Sequence, residues 1–313
     1  MTVDLSCRIG SVSISPCLMN SPGAGGVRAR DLAALAASRV GAVVTPPITR
    51  HPHRLPPAPN YFESDYSSLR SPGLWTIHQE SAASLVAQAR QGGKPVMACI
   101  AATAAEDYLE TASHMAQNGA DLILLDLSCR AAPDSRILGY NVRLAEKVMA
   151  EVRARVTCPL GARLPIYLDV LNVEALAGAA LRAGVDFLVA VAPASAALGV
   201  DAAGQTVVRA RGGVGELAGA AIKPMALANV RVLYQATGGR LPIIGSGGVR
   251  HSHDALEFLL AGAAAVQVGT ALLREGPDLF ATLEAALSRL LTVRGFPSAA
   301  AAVGQLRELP STN

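Results

Sequence analysis

A cysteine stands where an apolar run stops. In ADLILLDLSCRAAPDSR, residues 120–136, the segment from Leu122 to Leu125 reads as a buried strand, after which Ser128 and Cys129 pass into a loop. A thiol at a strand end can act as a base or a nucleophile once its pKa falls from about 8.5. It can equally be a small buried hydrophobe, the commoner fate of a cysteine. Cys7, Cys17, Cys99 and Cys158 are expected to take that second role. The five cysteines form no C-x-x-C pair and are odd in number, so neither a disulfide framework nor a zinc cluster is expected, and a reducing cytoplasm fits.

Two glycine-bearing runs lie near the end of the chain. IIGSGG brings Gly245, Ser246, Gly247 and Gly248 to one strand end, and VQVGTA brings Gly269 and Thr270 to the next. Glycines let backbone N–H groups approach a phosphate closely, and consecutive strand ends of this kind often hold one. Each run alone could be an ordinary turn. Arg163, in GARLP, places a charge in an otherwise apolar strand and needs a partner. An anionic cofactor edge and a structural salt bridge both fit. None of the six histidines has a ligand spacing, and no metal is expected; His51 and His53 sit in a proline-rich loop and read as solvated.

Positioning these residues requires a frame. The chain has 313 residues with 51% hydrophobic content, 16% charged residues and a net charge of +3, too small and scattered for a nucleic-acid surface. The longest apolar run is short and holds a proline, so no membrane span is expected, and no signal peptide is read at the N-terminus. Continuously apolar strand candidates start near residues 15, 41, 95, 120, 159, 187, 242 and 265. Alanine-rich segments with apolar i, i+3, i+4 spacing lie between them. Such strands are buried on both faces, as in a parallel sheet. The alternation predicts one α/β domain over residues 1–313, a (β/α)8 TIM barrel. A doubly wound sheet competes, but no G-x-G-x-x-G follows the first strand. Two insertions interrupt the alternation. One is proline-rich, reads as a structureless loop and carries Trp75. The other, after strand six, reads as a hairpin. Both are expected over the C-terminal face, where barrel active sites sit.

The motifs IIGSGGV, VQVGTAL, GAAIKPMALANV and LDLSC together resemble the dihydroorotate dehydrogenases, over nearly the whole chain. A cysteine base resembles the soluble class 1 branch, and DAAGQTVV with AIKPMALANVR resembles its homodimeric, fumarate-using subgroup. The resemblance implies FMN as cofactor, a cytoplasmic homodimer, pyrimidine biosynthesis and a small-molecule substrate, with no nucleic acid or membrane partner. It implies that Gly245, Ser246, Gly247, Gly248, Gly269 and Thr270 hold the phosphate. Ser21, Pro22 and Gly23 would lie against the isoalloxazine ring, with Thr45 and Arg163 also on the cofactor. Cys129 would take a proton from one substrate carbon while a hydride leaves its neighbour.

The pyrimidine site departs from the family. Where asparagines read the orotate ring, the matching positions hold Ser67, Asp126, Ala131 and Ala192. Asparagine to aspartate replaces a donor and acceptor by an acceptor. Arg70 stands where the family has glycine, and two flavin-contacting lysines are replaced by Pro46 and Arg163. An oxidoreductase of the dihydroorotate dehydrogenase type is therefore expected, acting on dihydroorotate itself or on another substrate, the latter anionic because Arg70 and Arg130 flank the mouth. The alternative is a non-catalytic flavin- or ligand-binding barrel that kept the scaffold.

Overall fold

The computed structural model describes residues 3–24, 26, 28–51, 57–72, 76–131 and 136–309. His53 and Trp75 lie outside them, as does most of the loop after Cys129. The eight expected strands are β1 (Leu18–Asn20), β2 (Val43–Val44), β3 (Val96–Ile100), β4 (Leu122–Asp126), β5 (Leu160–Leu164), β6 (Phe187–Ala190), β7 (Ile243–Ser246) and β8 (Ala263–Val268). Each pairs in parallel with the next from β2 to β8, and β8 pairs with β1. The ring closes where Met19 bridges Ala42 in parallel and the Gly41 N–H donates to the Leu18 carbonyl at 2.8 Å. This is a TIM barrel. All five residues of β3 and all five of β4 are buried, as strands covered by helices on one side and by the barrel interior on the other must be.

Helices follow the strands: α1 (Ala29–Ala37), α2 (Gln79–Arg90), α3 (Ala105–Gln117), α4 (Val142–Arg153), α5 (Val170–Ala183), α6 (Lys223–Thr237), α7 (Ser252–Ala261), α8 (Thr270–Glu275) and α9 (Leu279–Val293). In α4, Ala145, Val148, Met149 and Val152 form the buried stripe, and Asn141 caps the start by accepting from the Leu144 N–H at 3.1 Å. Gly184 ends α5 in the left-handed conformation, which glycine adopts without a Cβ clash. Helix α9 is not among the helices expected from the sequence. Neither is the antiparallel hairpin of Cys7–Ile9 and Val12–Ile14, whose Ile9 and Ile14 are fully buried.

The insertions differ most from expectation. The proline-rich one is not structureless. Its strands Tyr61–Glu63 and Ser68–Arg70 form a hairpin, and Ser68–Arg70 pairs with Val214–Ala218 of the second insertion. That strand pairs in turn with Ala194–Leu198, which gives the expected second hairpin and completes a four-stranded antiparallel cap. Two distant pieces of chain thus share one backbone ladder over the barrel mouth.

Candidate active site

Three adjoining clefts open between the cap and the C-terminal strand ends. The first, about 140 Å³, is lined by Ser21, Ser246, Gly247, Gly248, Gly269 and Thr270 among others. A second, about 50 Å³, shares Ser21, Arg163, Gly269 and Thr270 with it and adds Pro22 and Arg70. The third, about 380 Å³, holds Cys129 with Asp126, Ser128, Arg130, Glu216 and, again, Arg70. Shared walls make them one trench running from the glycines to the cysteine.

Most of the expected residues meet in this trench, and five do not take their expected places. Gly245 faces away from it: a Cβ there would come within 2.5 Å of the Phe258 ring in α7, so this glycine serves strand–helix packing. The Thr45 hydroxyl is buried and spent on backbone, donating to the Pro46 carbonyl at 2.9 Å and accepting from the Cys99 N–H at 3.1 Å. Ala192 is fully buried and lines none of the clefts. Ser67 lines the glycine cleft rather than the Cys129 cleft, with its hydroxyl 2.9 Å from that of Ser64. Gly23 has φ +78° and makes the turn behind Pro22 without lining a cleft. Gly219, Val191, Arg250 and Arg274 line the glycine cleft, and Ser195 and Glu216 the Cys129 cleft. Sequence reading misses these six because five of them sit in loops or cap strands whose pairing is invisible without the fold.

Arg163 and Asp126 are directly opposite one another in the β4–β5 register and both are almost fully buried. The Arg163 Nη1 donates to Asp126 Oδ2 at 2.9 Å. Asp126 Oδ1 accepts from the Ser128 N–H at 3.1 Å and its hydroxyl at 2.5 Å. The salt bridge and the mouth-facing position therefore hold together. Arg163 keeps one buried polar atom, Nε, without a hydrogen-bond partner among the described residues. Burial is the largest single influence and opposes its charge, but Asp126, Cys99 and Glu216 together outweigh it and hold the guanidinium above its ordinary pKa.

The cap supplies a second pair. Glu216 and Arg70 are cross-strand partners in the cap register, and the Arg70 Nε donates to Glu216 Oε2 at 2.7 Å. Arg70 is thus neutralised from within, which removes half of the basis for an anionic substrate. Arg130 is exposed at the rim.

Cys129 is half-buried, and all five cysteines are free thiols. Burial pushes the Cys129 thiol well above its ordinary pKa; the nearby Asp126 carboxylate, Cys99 and Glu216 push it further, and Arg163 pulls it down. The Tyr108 phenol, fully buried, donates to the Asp126 carbonyl at 2.6 Å and lies in hydrogen-bonding contact with Cys129. A protonated thiol between two carboxylates is a strong base once ionised, and otherwise a proton donor. No residue lining the three clefts, among those described, is Asn or Gln.

Comparison with known proteins agrees with this picture. The family model described as Dihydroorotate dehydrogenase matches residues 5–291. A dihydroorotate dehydrogenase A (fumarate) of Lactococcus lactis subsp. lactis is 32% identical over 93% of this chain and 95% of its own. A putative dihydroorotate dehydrogenase A (fumarate) of Streptococcus equi subsp. equi is 31% identical over 98% of this chain and 100% of its own. Among solved structures, an Eimeria tenella DHODH in complex with ferulenol superposes with a TM-score of 0.80 at 18% identity, covering 96% of this chain and 88% of the other, and so shares the fold. With the match spanning barrel and cap alike, the chain belongs to the dihydroorotate dehydrogenase family.

Proposed function

We propose that the protein is an FMN-dependent oxidoreductase acting on a CH–CH bond, with Cys129 as the group that exchanges a proton with one substrate carbon. The observation that carries this is the single trench that places the glycine cleft and the Cys129 cleft side by side, with Arg70 and Arg163 on the walls between. The residues present fit FMN. Gly247 and Gly248 have φ of +131° and +79°, and the Arg163 Nε is buried with an unused proton. Gly247, Gly248, Gly269 and Thr270 would hold the phosphate, Ser21 and Pro22 the ring, and Arg163 its polar edge. Bound there, FMN accepts or returns the hydride of the reaction. The chain does the rest. Cys129 Sγ takes the proton, Ser128 and Tyr108 fix the loop and strand end that carry it, and the cap keeps water from the trench.

The substrate is read as different from dihydroorotate, because amide readers are missing from the clefts and Asp126 presents carboxylate oxygens where the family presents an amide. Conversion of dihydroorotate with fumarate, in the sense of pyrimidine biosynthesis, is the plain family alternative. The test is a visible spectrum of the purified protein, then anaerobic addition of dihydroorotate. Oxidised-flavin bands are expected. Bleaching by dihydroorotate would restore the family substrate, and no flavin after reconstitution with FMN would refute the cofactor reading. Gly248→Val should lose the bands, since a Cβ at 248 would lie 2.7 Å from Lys223 Cβ and 3.0 Å from the Gly219 carbonyl oxygen at an unfavourable φ. Retention of stoichiometric FMN by that variant would count against the glycine cleft.

A cytoplasmic homodimer belongs to the same reading. No described helix is long and apolar enough to cross a membrane. Tyr140, Leu168, Val170 and Leu171 are exposed near the start of α5, an apolar face that a second copy would cover. Light scattering on the purified protein should give twice the chain mass, and a monomer would refute the dimer.

A further inference from the structure

The Cys129 cleft holds charges that are already matched. Its two carboxylates, Asp126 and Glu216, each face a guanidinium: Asp126 that of Arg163 at 2.9 Å, Glu216 that of Arg70 at 2.7 Å. Neither pair is an accident of loose side chains. Asp126 and Arg163 are register partners in β4 and β5, and Glu216 and Arg70 are register partners across the cap ladder. The side chains of Arg70 and Glu216 are 15% and 22% exposed, so the pair sits inside the cleft wall rather than in bulk water. Arg70 lines both the Cys129 cleft and the narrow cleft beside Ser21, between the proposed flavin and the thiol.

A substrate carboxylate entering here would need a guanidinium and would find Arg70 occupied; Arg130, the other guanidinium of this cleft, lies exposed at the rim, away from the inner wall, and is not free either. Displacing Glu216 would leave that carboxylate unpaired in a partly desolvated wall, close to a second carboxylate on Asp126, and truncated or displaced partners of buried pairs are costly. Leaving Glu216 in place would set two anions against one cation.

We propose that Glu216 stands in for a substrate carboxylate at the Arg70 guanidinium, so that the Cys129 cleft takes an uncharged cyclic amide or enone rather than a carboxylate-bearing ring. The proposal rests on the reading of the Cys129 cleft as the substrate site. What it adds is the charge of the substrate and the residue that sets it. The remaining polar groups of the cleft are consistent with a neutral ligand: Thr103 and Ser195 carry hydroxyls that both donate and accept, whereas the Thr49 hydroxyl is spent on the His51 backbone and that of Ser128 on Asp126.

Orotate and uracil are a matched pair of probes, sharing one ring and differing by a carboxylate. Calorimetric titration of the purified full chain reads their affinities without a flavin signal, and the visible spectrum of the same sample reports FMN separately. Failure of the cofactor reading and failure of this one are therefore distinguishable. The wild type is expected to bind uracil at least tenfold more tightly than orotate. Glu216→Gln, which keeps the size of the side chain and one acceptor, is expected to strengthen orotate binding at least tenfold while changing uracil binding less than threefold. Equal or tighter binding of orotate by the wild type would overturn the proposal, as would binding of neither probe. An unchanged orotate-to-uracil ratio in a folded Glu216→Gln would overturn it as well. The wild-type ratio stands on its own if the variant does not fold.

Discussion

Replacing Cys129 with alanine is expected to lower the rate of flavin reduction by about 10²- to 10⁴-fold, the usual worth of a positioned general base, while leaving the flavin bound. The separation of effects follows from the trench: Cys129 lines the third cleft and none of the residues of the glycine cleft depends on its thiol. Stopped-flow absorbance under anaerobic conditions, with whichever dihydropyrimidine reduces the wild type, measures the rate. The spectrum of the same sample measures the flavin. A variant that reduces at the wild-type rate would remove Cys129 from the chemistry.

The pH dependence sharpens that result. Only the thiolate accepts a proton, and burial together with Asp126, Cys99 and Glu216 holds the Cys129 thiol well above its ordinary pKa. At neutral pH the thiol form dominates. Dehydrogenation should then rise about tenfold per pH unit through neutral pH and level off only above the raised pKa. The reverse reaction uses the thiol as proton donor and should stay flat over the same range and fall above it. Cys129→Ser should move the dehydrogenation profile to still higher pH, because a hydroxyl ionises less readily than a thiol. A dehydrogenation rate that is already level at pH 6–7 would mean that the thiolate is stabilised by a group other than those around it here.

The barrel was open to reading because its strands announce themselves. VMACI and LILLD are apolar throughout, and only a strand covered on both faces needs that. Helix α9, with buried Leu279, Leu283, Leu287 and Leu291 at a four-residue spacing, carries an equally clear pattern although it is not among the expected helices. The cap was legible only as the hairpin of its second insertion. Its strands Tyr61–Glu63 and Ser68–Arg70 are three residues each, and the second finds its partner 146 positions away. No local pattern encodes that pairing. The period-two alternation of a strand does separate Gly245 from Ser246, one toward Phe258 and one toward the trench, so the misplacement of Gly245 was avoidable. Arg163 and Asp126 each stand out in the sequence, but that they neutralise one another depends on a register no single strand contains.

That pair gives the second large effect. Arg163→Met should destabilise the protein by roughly 3–5 kcal/mol, because it leaves Asp126 charged and almost fully buried with only Ser128 to satisfy it. Thermal unfolding should show a midpoint lower by roughly 6–10 °C. The double variant Asp126→Asn/Arg163→Met should recover much of the loss, since removing both charges leaves no uncompensated ion, and the cycle of single and double variants measures the coupling. A second reading comes from the cysteine. Arg163 is a nearby charge that pulls the Cys129 pKa down. Without it, Asp126 acts on the thiol with less opposition, and the dehydrogenation profile of a folded Arg163→Met should shift to higher pH. Loss of packing alone lowers the midpoint but moves no titration, so the two measurements together separate a structural arginine from one that also sets the base. An unshifted profile with a lowered midpoint would remove Arg163 from the setting of the base.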